Sequence, residues 1–183
     1  MKRANVLLIN FLLAVSISGN CQVFMTESGH VEFLSKAPLN EFTGKSSNLN
    51  GLMDLDMNML DFYVDLNTFK TGIGLRDRHM RENYLETKRY PYAEFTGKIN
   101  PLPKLEIGQS MSVSAKGIFK IHGVEQEIQV PGKLTSLSDT EIQLDASFKV
   151  LLGDYNIDIP KVVFYELAEE QEVTIRATLK AKK

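Results

Sequence analysis

Apolar and polar residues alternate along most of the chain from Val31 onward. Met111, Val113, Ala115, Gly117, Phe119 and Ile121 take every second place against Ser112, Ser114, Lys116, Ile118, Lys120 and His122. Ile142, Leu144, Ala146, Phe148 and Val150 do the same against Gln143, Asp145, Ser147 and Lys149. Phe62, Val64 and Leu66 repeat the pattern, as do Val173, Ile175, Ala177 and Leu179. A period of two puts the two sets on opposite faces of a strand, one dry and one wet, which is the habit of antiparallel sheets. Gly44, Gly51, Pro101–Leu102–Pro103, Gly108, Gly123, Pro131–Gly132 and Ser138–Asp139 punctuate these runs as hairpins or bulges. One segment departs from the pattern. Arg76 to Lys88 predicts a short helix, with Asp77/Arg81 and Arg78/Glu82 as acid-to-base pairs four residues apart. Lys161 to Glu170 could hold one more helical turn.

About eight strands of this kind can form a sandwich or a closed barrel, and the all-β class follows either way. The long stretch Asn48 to Asn67 leaves little room for a wide loop, and no strand is apolar on both faces, so an antiparallel barrel is expected. A transmembrane barrel would need an apolar outer face, whereas Asp54, Asp56, Lys116, Lys120, Asp145 and Lys149 stand on the second face and read as solvating charges. Glu41–Lys45 and Glu94–Lys98 are both Glu-Phe-Thr-Gly-Lys, which two strands in similar surroundings explain.

Charge and composition narrow the function. The 183 residues carry 21 Lys+Arg against 23 Asp+Glu, a net charge of -2, which offers no excess positive field for nucleic acid. A single cysteine and three scattered histidines exclude a disulfide framework and a Cys/His zinc site. Met1-Lys2-Arg3, the apolar run Val6 to Ser18 and the small residues Ser16, Ser18 and Gly19 form a secretory signal pattern. At ~1.5 Å per residue that run reaches roughly 20 Å, too short to span a hydrocarbon core of about 30 Å. Residues 1–21 are therefore expected to be a signal peptide and 22–183 one domain, delivered to the periplasm or secreted. Cys21 raises lipoprotein anchoring as a rival, but Asn20 places a polar amide where such signals carry Gly or Ala. Removal of residues 1–21 takes away Lys2, Arg3 and Cys21 and leaves a cysteine-free chain, which suits an oxidising compartment.

Thr71-Gly72-Ile73-Gly74-Leu75-Arg76-Asp77-Arg78-His79-Met80-Arg81, continuing through Tyr84-Leu85-Glu86-Thr87 to Tyr90-Pro91 and Phe95, resembles the signature of the YceI-like family. Phe119 to Val124 with Val130–Pro131 resembles that family's second block, and Ala146–Phe148 with Asp154–Tyr155 stand where its third falls. The likeness spans roughly residues 27 to 180. It implies an extended lipocalin-like barrel, usually exported, that holds a long amphiphile such as a polyisoprenoid, an isoprenoid quinone or a fatty amide. The family's opening commonly reads Asp-x-x-His-Ser-x-Val, which Glu27-Ser28-Gly29-His30-Val31 only approximates, so His30 is given no role.

Small residues at inward positions, Gly51, Gly97, Ala115, Gly117, Ala146 and Ala177, would leave such a barrel hollow; the bland alternative is a solid core with glycines at bends. Met53, Met57 and Met59 share parity with Leu55, an adaptable thioether stripe or plain core filler. The expected cavity lining is Met53, Leu55, Met57, Phe62, Val64, Phe95, Val113, Ala115, Gly117, Phe119, Leu144, Ala146 and Phe148. Arg76, Asp77, His79 and Arg81 are the expected head-group contacts, since clustered guanidinium and imidazole groups suit a phosphate or quinone. A salt-bridged helix surface would account for many of the same residues. The chain shows no ordered Ser/His/Asp set, phosphate loop or His-Glu-x-x-His motif. A binding module with no catalytic residue, metal or cofactor beyond the bound amphiphile is thus expected. Its oligomeric state is open, a homodimer included. The alternative is a barrel enzyme acting on a small lipid-like substrate, with His79 as acid or base.

Overall fold

The computed structural model describes residues 23–100, 105–159 and 167–182. The expected signal peptide, Cys21, the Pro101–Pro103 turn and most of the expected Lys161–Glu170 turn lie outside them. Eight strands are present among the described residues: β1 (Val23–Ala37), β2 (Asn40–Asp54), β3 (Met59–Asp65), β4 (Tyr92–Ile99), β5 (Ser110–Ile121), β6 (Val124–Ser138), β7 (Glu141–Leu151) and β8 (Glu170–Ala181). Each pairs antiparallel with the next and β8 pairs with β1, closing the barrel the alternation predicts. Closure leaves no unpaired sheet edge at the seam.

The pattern of burial follows the sequence pattern in β5, β7 and β8, where Ala115, Phe119, Ile142, Val150, Ala177 and Leu179 are buried. β1 and β2 are less regular. Their register shifts between Thr26 and Val31, so the inward parity changes from Phe24 and Thr26 to Gly29, Val31 and Ser35. A bulge adds one residue and turns every later side chain to the other face. Both Glu-Phe-Thr-Gly-Lys copies lie in strands, β2 and β4, with Phe42 and Phe95 toward the interior.

Two corrections concern turns and the helix. Pro131–Gly132 does not interrupt the sheet but lies within β6. Pairing of β6 with β7 runs only from Gly132 to Ser138, whereas its pairing with β5 continues to Val124, so the two strands fork at Pro131. Counting from the tight Ile121–Val124 hairpin pair, residue 131 would aim an N–H away from β5, toward the fork. Proline has no N–H to leave unpaired there. The fork is filled by Leu152, Tyr155 and Ile157, all buried. His122 holds this filler: its Nδ1–H donates to the Tyr155 carbonyl at 3.0 Å. His122 and Gly123 form the β5–β6 hairpin with φ of 54° and 76°, the left-handed pair that a two-residue turn needs.

The helix expected over 76–88 is shorter and starts earlier. α1 spans Gly74–His79 and is followed by one π-helical turn, Met80–Tyr84. Glu86, at φ 46°, turns the chain out of the helix, and Thr87, buried, donates its hydroxyl to Asn67 Oδ1 at 2.7 Å.

Gly97 and Gly117 face each other across β4 and β5. A Cβ on Gly117 would come within 2.4 Å of the Thr96 carbonyl oxygen and 2.5 Å of Gly97 Cα. Gly117→Ala is therefore expected to cost about 1–3 kcal/mol in urea denaturation, as overpacking does. Gly153→Ala, where a Cβ would meet nothing within 4 Å, should stay within about 0.5 kcal/mol of wild type. Equal stability of the two variants would contradict the close approach.

Candidate functional site: a one-ended apolar cavity

The interior contains a cavity of about 480 Å3 walled mainly by apolar side chains from all eight strands. Val31, Phe33, Phe62, Phe95, Phe119 and Phe148 are among those facing it. Phe119 meets Phe148 and Tyr155 edge-on at centroid distances of 5.4 and 5.5 Å, so the rings are locked rather than loose.

The cavity opens at the end of the barrel that carries the β1–β2 turn and α1. Its bordering residues Ile73, Leu75 and His79 are solvent-exposed, the first two by 53% and 54%, which places them on the lip. Leu85, Leu152, Ile157 and Leu167 roof the rest of that end. The opposite end is filled. Phe24, Leu134, Ile142 and Leu179 are at most 5% exposed and none borders the cavity.

Ten of the thirteen residues expected in the lining border the cavity: Met53, Phe62, Val64, Phe95, Val113, Ala115, Phe119, Leu144, Ala146 and Phe148. Leu55, Met57 and Gly117 do not. β2 ends at Asp54, whose buried carboxylate accepts from the amides of Asp56 and Met57 at 3.0 and 2.9 Å and folds the chain into a turn. The methionine stripe is cut there, and Met57 is 61% exposed. Asp54 is thus a turn-former, not the solvating charge expected. Gly117 spends its space on Gly97.

The head-group cluster divides in two. Arg76 and His79 border the cavity; Asp77 and Arg81 do not. Asp77 is buried and accepts from the Thr71 amide at 2.7 Å and the Thr71 hydroxyl at 2.6 Å. Arg76 donates back to Thr71, from Nε to the hydroxyl at 3.1 Å and from Nη2 to the carbonyl at 3.2 Å. Its guanidinium also lies 4.1 Å from the centre of the Phe42 ring. The Thr-Gly…Arg-Asp signature is a knot that pins the start of α1 over the mouth. Burial would raise the Asp77 carboxyl, but the Thr71 hydroxyl and amide, with Lys70 and Arg81 nearby, outweigh it and hold its pKa below the usual carboxylate value. Arg81 stands behind this knot, its Nη1 buried without a hydrogen-bond partner. The Arg81 charge expected to pair with Asp77 acts on it without a hydrogen bond, and the bonds to the carboxylate come from Thr71.

Phe33, Phe42, Gln171 and Asn40 at this end escaped the sequence reading. Phe33 and Phe42 sit beyond the bulge in β1 and β2, where alternation could not be phased. Gln171 borders the cavity, is 6% exposed and donates to the Ala168 carbonyl at 2.6 Å. Asn40 also borders it, at the β1–β2 turn. His30, by contrast, lies outside the lining, near Ser47 and Glu32. Among the described residues no cluster of His, Cys, Asp and Glu could hold a metal ion, and no helix is long and apolar enough to cross a membrane.

A family model for the YceI-like domain matches residues 23–181. The chain belongs to the YceI-like family. Solved structures share the barrel. A polyisoprenoid binding domain from Saccharophagus degradans, implicated in plant cell wall breakdown, is 20% identical, with a TM-score of 0.77 over 88% of this chain and 99% of that one. BcnA of Burkholderia cenocepacia is 17% identical, with a TM-score of 0.67 over 84% of this chain and 96% of its own. The YceI protein of Campylobacter jejuni is 17% identical, with a TM-score of 0.61 over 76% and 85%. A search of curated proteins gave no match. Within this YceI-like chain the signature block thus has a visible task, the tethering of α1.

The tether predicts a pH signature. A depressed folded pKa means that Asp77 contributes stability above the unfolded carboxylate value of about 3.9 and loses it as pH falls through the folded pKa. Asp77→Asn keeps an acceptor for Thr71 but gives up the charge, so it should be less stable by about 1 kcal/mol at neutral pH. The gap between variant and wild type should close on acidification in denaturant titrations. A gap that is constant with pH would contradict a charged Asp77 in the folded state.

Proposed function

We propose that this protein binds a long-chain amphiphile, with its apolar tail in the barrel cavity and its polar head at Arg76 and His79. The observation that carries the reading is the distribution of polarity: an apolar well with a guanidinium and an imidazole at its lip. Burying roughly 400 Å2 of tail contributes about 10 kcal/mol before the costs of association, enough to hold a lipid that water rejects. Arg76 is already positioned by Thr71 and Phe42, so little side-chain freedom is lost when a head group arrives. A polyisoprenoid is the favoured ligand, supported by the family and by the Saccharophagus domain of the same fold. Isoprenoid quinones and fatty amides share the needed shape. The role proposed is carriage or sequestration, which the family match and the polyisoprenoid binding domain of the same fold support, with the exposed His79 read as a head-group contact.

The N-terminal signal pattern supports a location outside the cytoplasm, in the periplasm or secreted, after cleavage near Cys21. Intact mass of the exported protein should then fit a chain beginning between Gly19 and Val23. A diacylglycerol adduct on Cys21 would replace this with a membrane-anchored form.

Ala115→Phe tests the cavity. Ala115 borders it, in register with Ile99 and Val130. A ring there occupies the tail's place and should abolish lipid recovery in extracts of the purified protein. Delipidated wild type and variant should agree in urea stability to within about 1 kcal/mol, since the ring enters a void. A variant that loses stability, with no lipid in either protein, would overturn the reading.

A further inference from the structure

The barrel interior has two parts along its axis. From the mouth down to Met53, Leu60, Ile99, Val113, Gly132 and Leu144 the inward side chains border open space. Beneath them Phe24, Leu134, Ile142 and Leu179 fill the barrel, with Leu134 and Leu179 at 0% exposure. Met53 belongs to both parts. It borders the cavity, is itself 0% exposed, and stands in register with Phe24 of the floor and Leu60 of the wall. Across the barrel Gly132 is paired with Ala146, and both border the cavity, so at this pair the wall carries only small residues.

We propose that this floor sets the length of tail the protein encloses, with Met53 as the residue that defines its level. The proposal rests on the reading of the cavity as a tail site. Along β5 the cavity runs from Ile121 to Val113. At ~3.3 Å per residue and a strand tilt of about 40°, that is a depth of roughly 20 Å. An extended chain advances about 1.2 Å per bond, by the measure of the peptide backbone itself. One straight pass therefore accepts roughly 16 main-chain bonds, or about four isoprene units. A longer tail has to double back or leave its excess at the mouth, and both forfeit burial per added carbon.

The experiment uses delipidated protein and a ladder of straight-chain fatty acids with the matching alcohols, running from well below to well above this length. Native mass spectrometry reads the retained fraction of each. In the wild type, retention should climb with length and then level off at a break point. Met53→Ala removes three heavy atoms from the floor and should move the break to longer chains by roughly three carbons. Ala146→Leu adds three at a cavity-bordering position and should move it to shorter chains by a similar step, without replacing a residue of the packed floor. Break points that coincide in all three proteins, each still binding, would overturn the ruler while leaving tail binding intact. Failure of the wild type to retain any member of either ladder would overturn the tail site and the ruler together. The paired directions also separate the proposal from damage: a merely destabilised Met53→Ala protein would lose all lengths alike, contrary to the proposal.

Discussion

Pairing of β1 with β8 is the contact on which the remaining structure depends. It converts a strongly coiled sheet into a closed wall, and a closed wall of eight strands encloses more space than its inward side chains fill. The surplus is not spread evenly. Phe24, Leu134, Ile142 and Leu179 pack one end, while higher up the larger wall residues are interspersed with Val113, Ala115, Gly132 and Ala146, so the barrel has a filled base and a hollow upper part. The glycine pair at β4 and β5 belongs to the same geometry, because strands that approach this closely have no room for a Cβ on either side.

Closure also dictates what happens at the open end. β2 outruns its pairing with β3, and β6 outruns its pairing with β7. Each gap is covered by chain that is not strand. Beside β2, Lys45 and Lys70 exchange backbone hydrogen bonds, and Ser46 meets Thr68 at 2.6 Å. Beside β6, the Leu152–Tyr155 turn fills the fork under the His122 bond. The Thr71–Asp77 knot then fixes α1 against the first of these covers. Access to the cavity is defined by local polar contacts, although its walls are apolar.

Much of the barrel was legible because period two is a direct image of a wall with one dry face. Val113, Ala115 and Phe119 in β5, and Leu144, Ala146 and Phe148 in β7, could be assigned inward without any tertiary knowledge. Alternation failed as a guide where one residue changed the phase. The bulge in β1 hid Phe33, and the turn made by the Asp54 carboxylate removed Leu55 and Met57 from a stripe that looked continuous. It failed again at Asp77, for a different reason. A carboxylate among arginines reads as a surface ion pair, and only the fold shows that its partners are an amide and a hydroxyl six residues earlier. Pro131–Gly132, expected at a hairpin or bulge, lies in continuous strand because the missing N–H of proline is harmless at a place where two strands part.

The packed floor has a consequence for traffic. For the amphiphile proposed above, a well with one opening would impose an order on exchange: the tail goes in before its head and comes out after it. Any donor must therefore release its cargo with the apolar end leading, and any acceptor must take hold of the polar end first. In that binding mode the head would stay at the lip beside Arg76, which borders the cavity, and could be read by a third party without the tail meeting water.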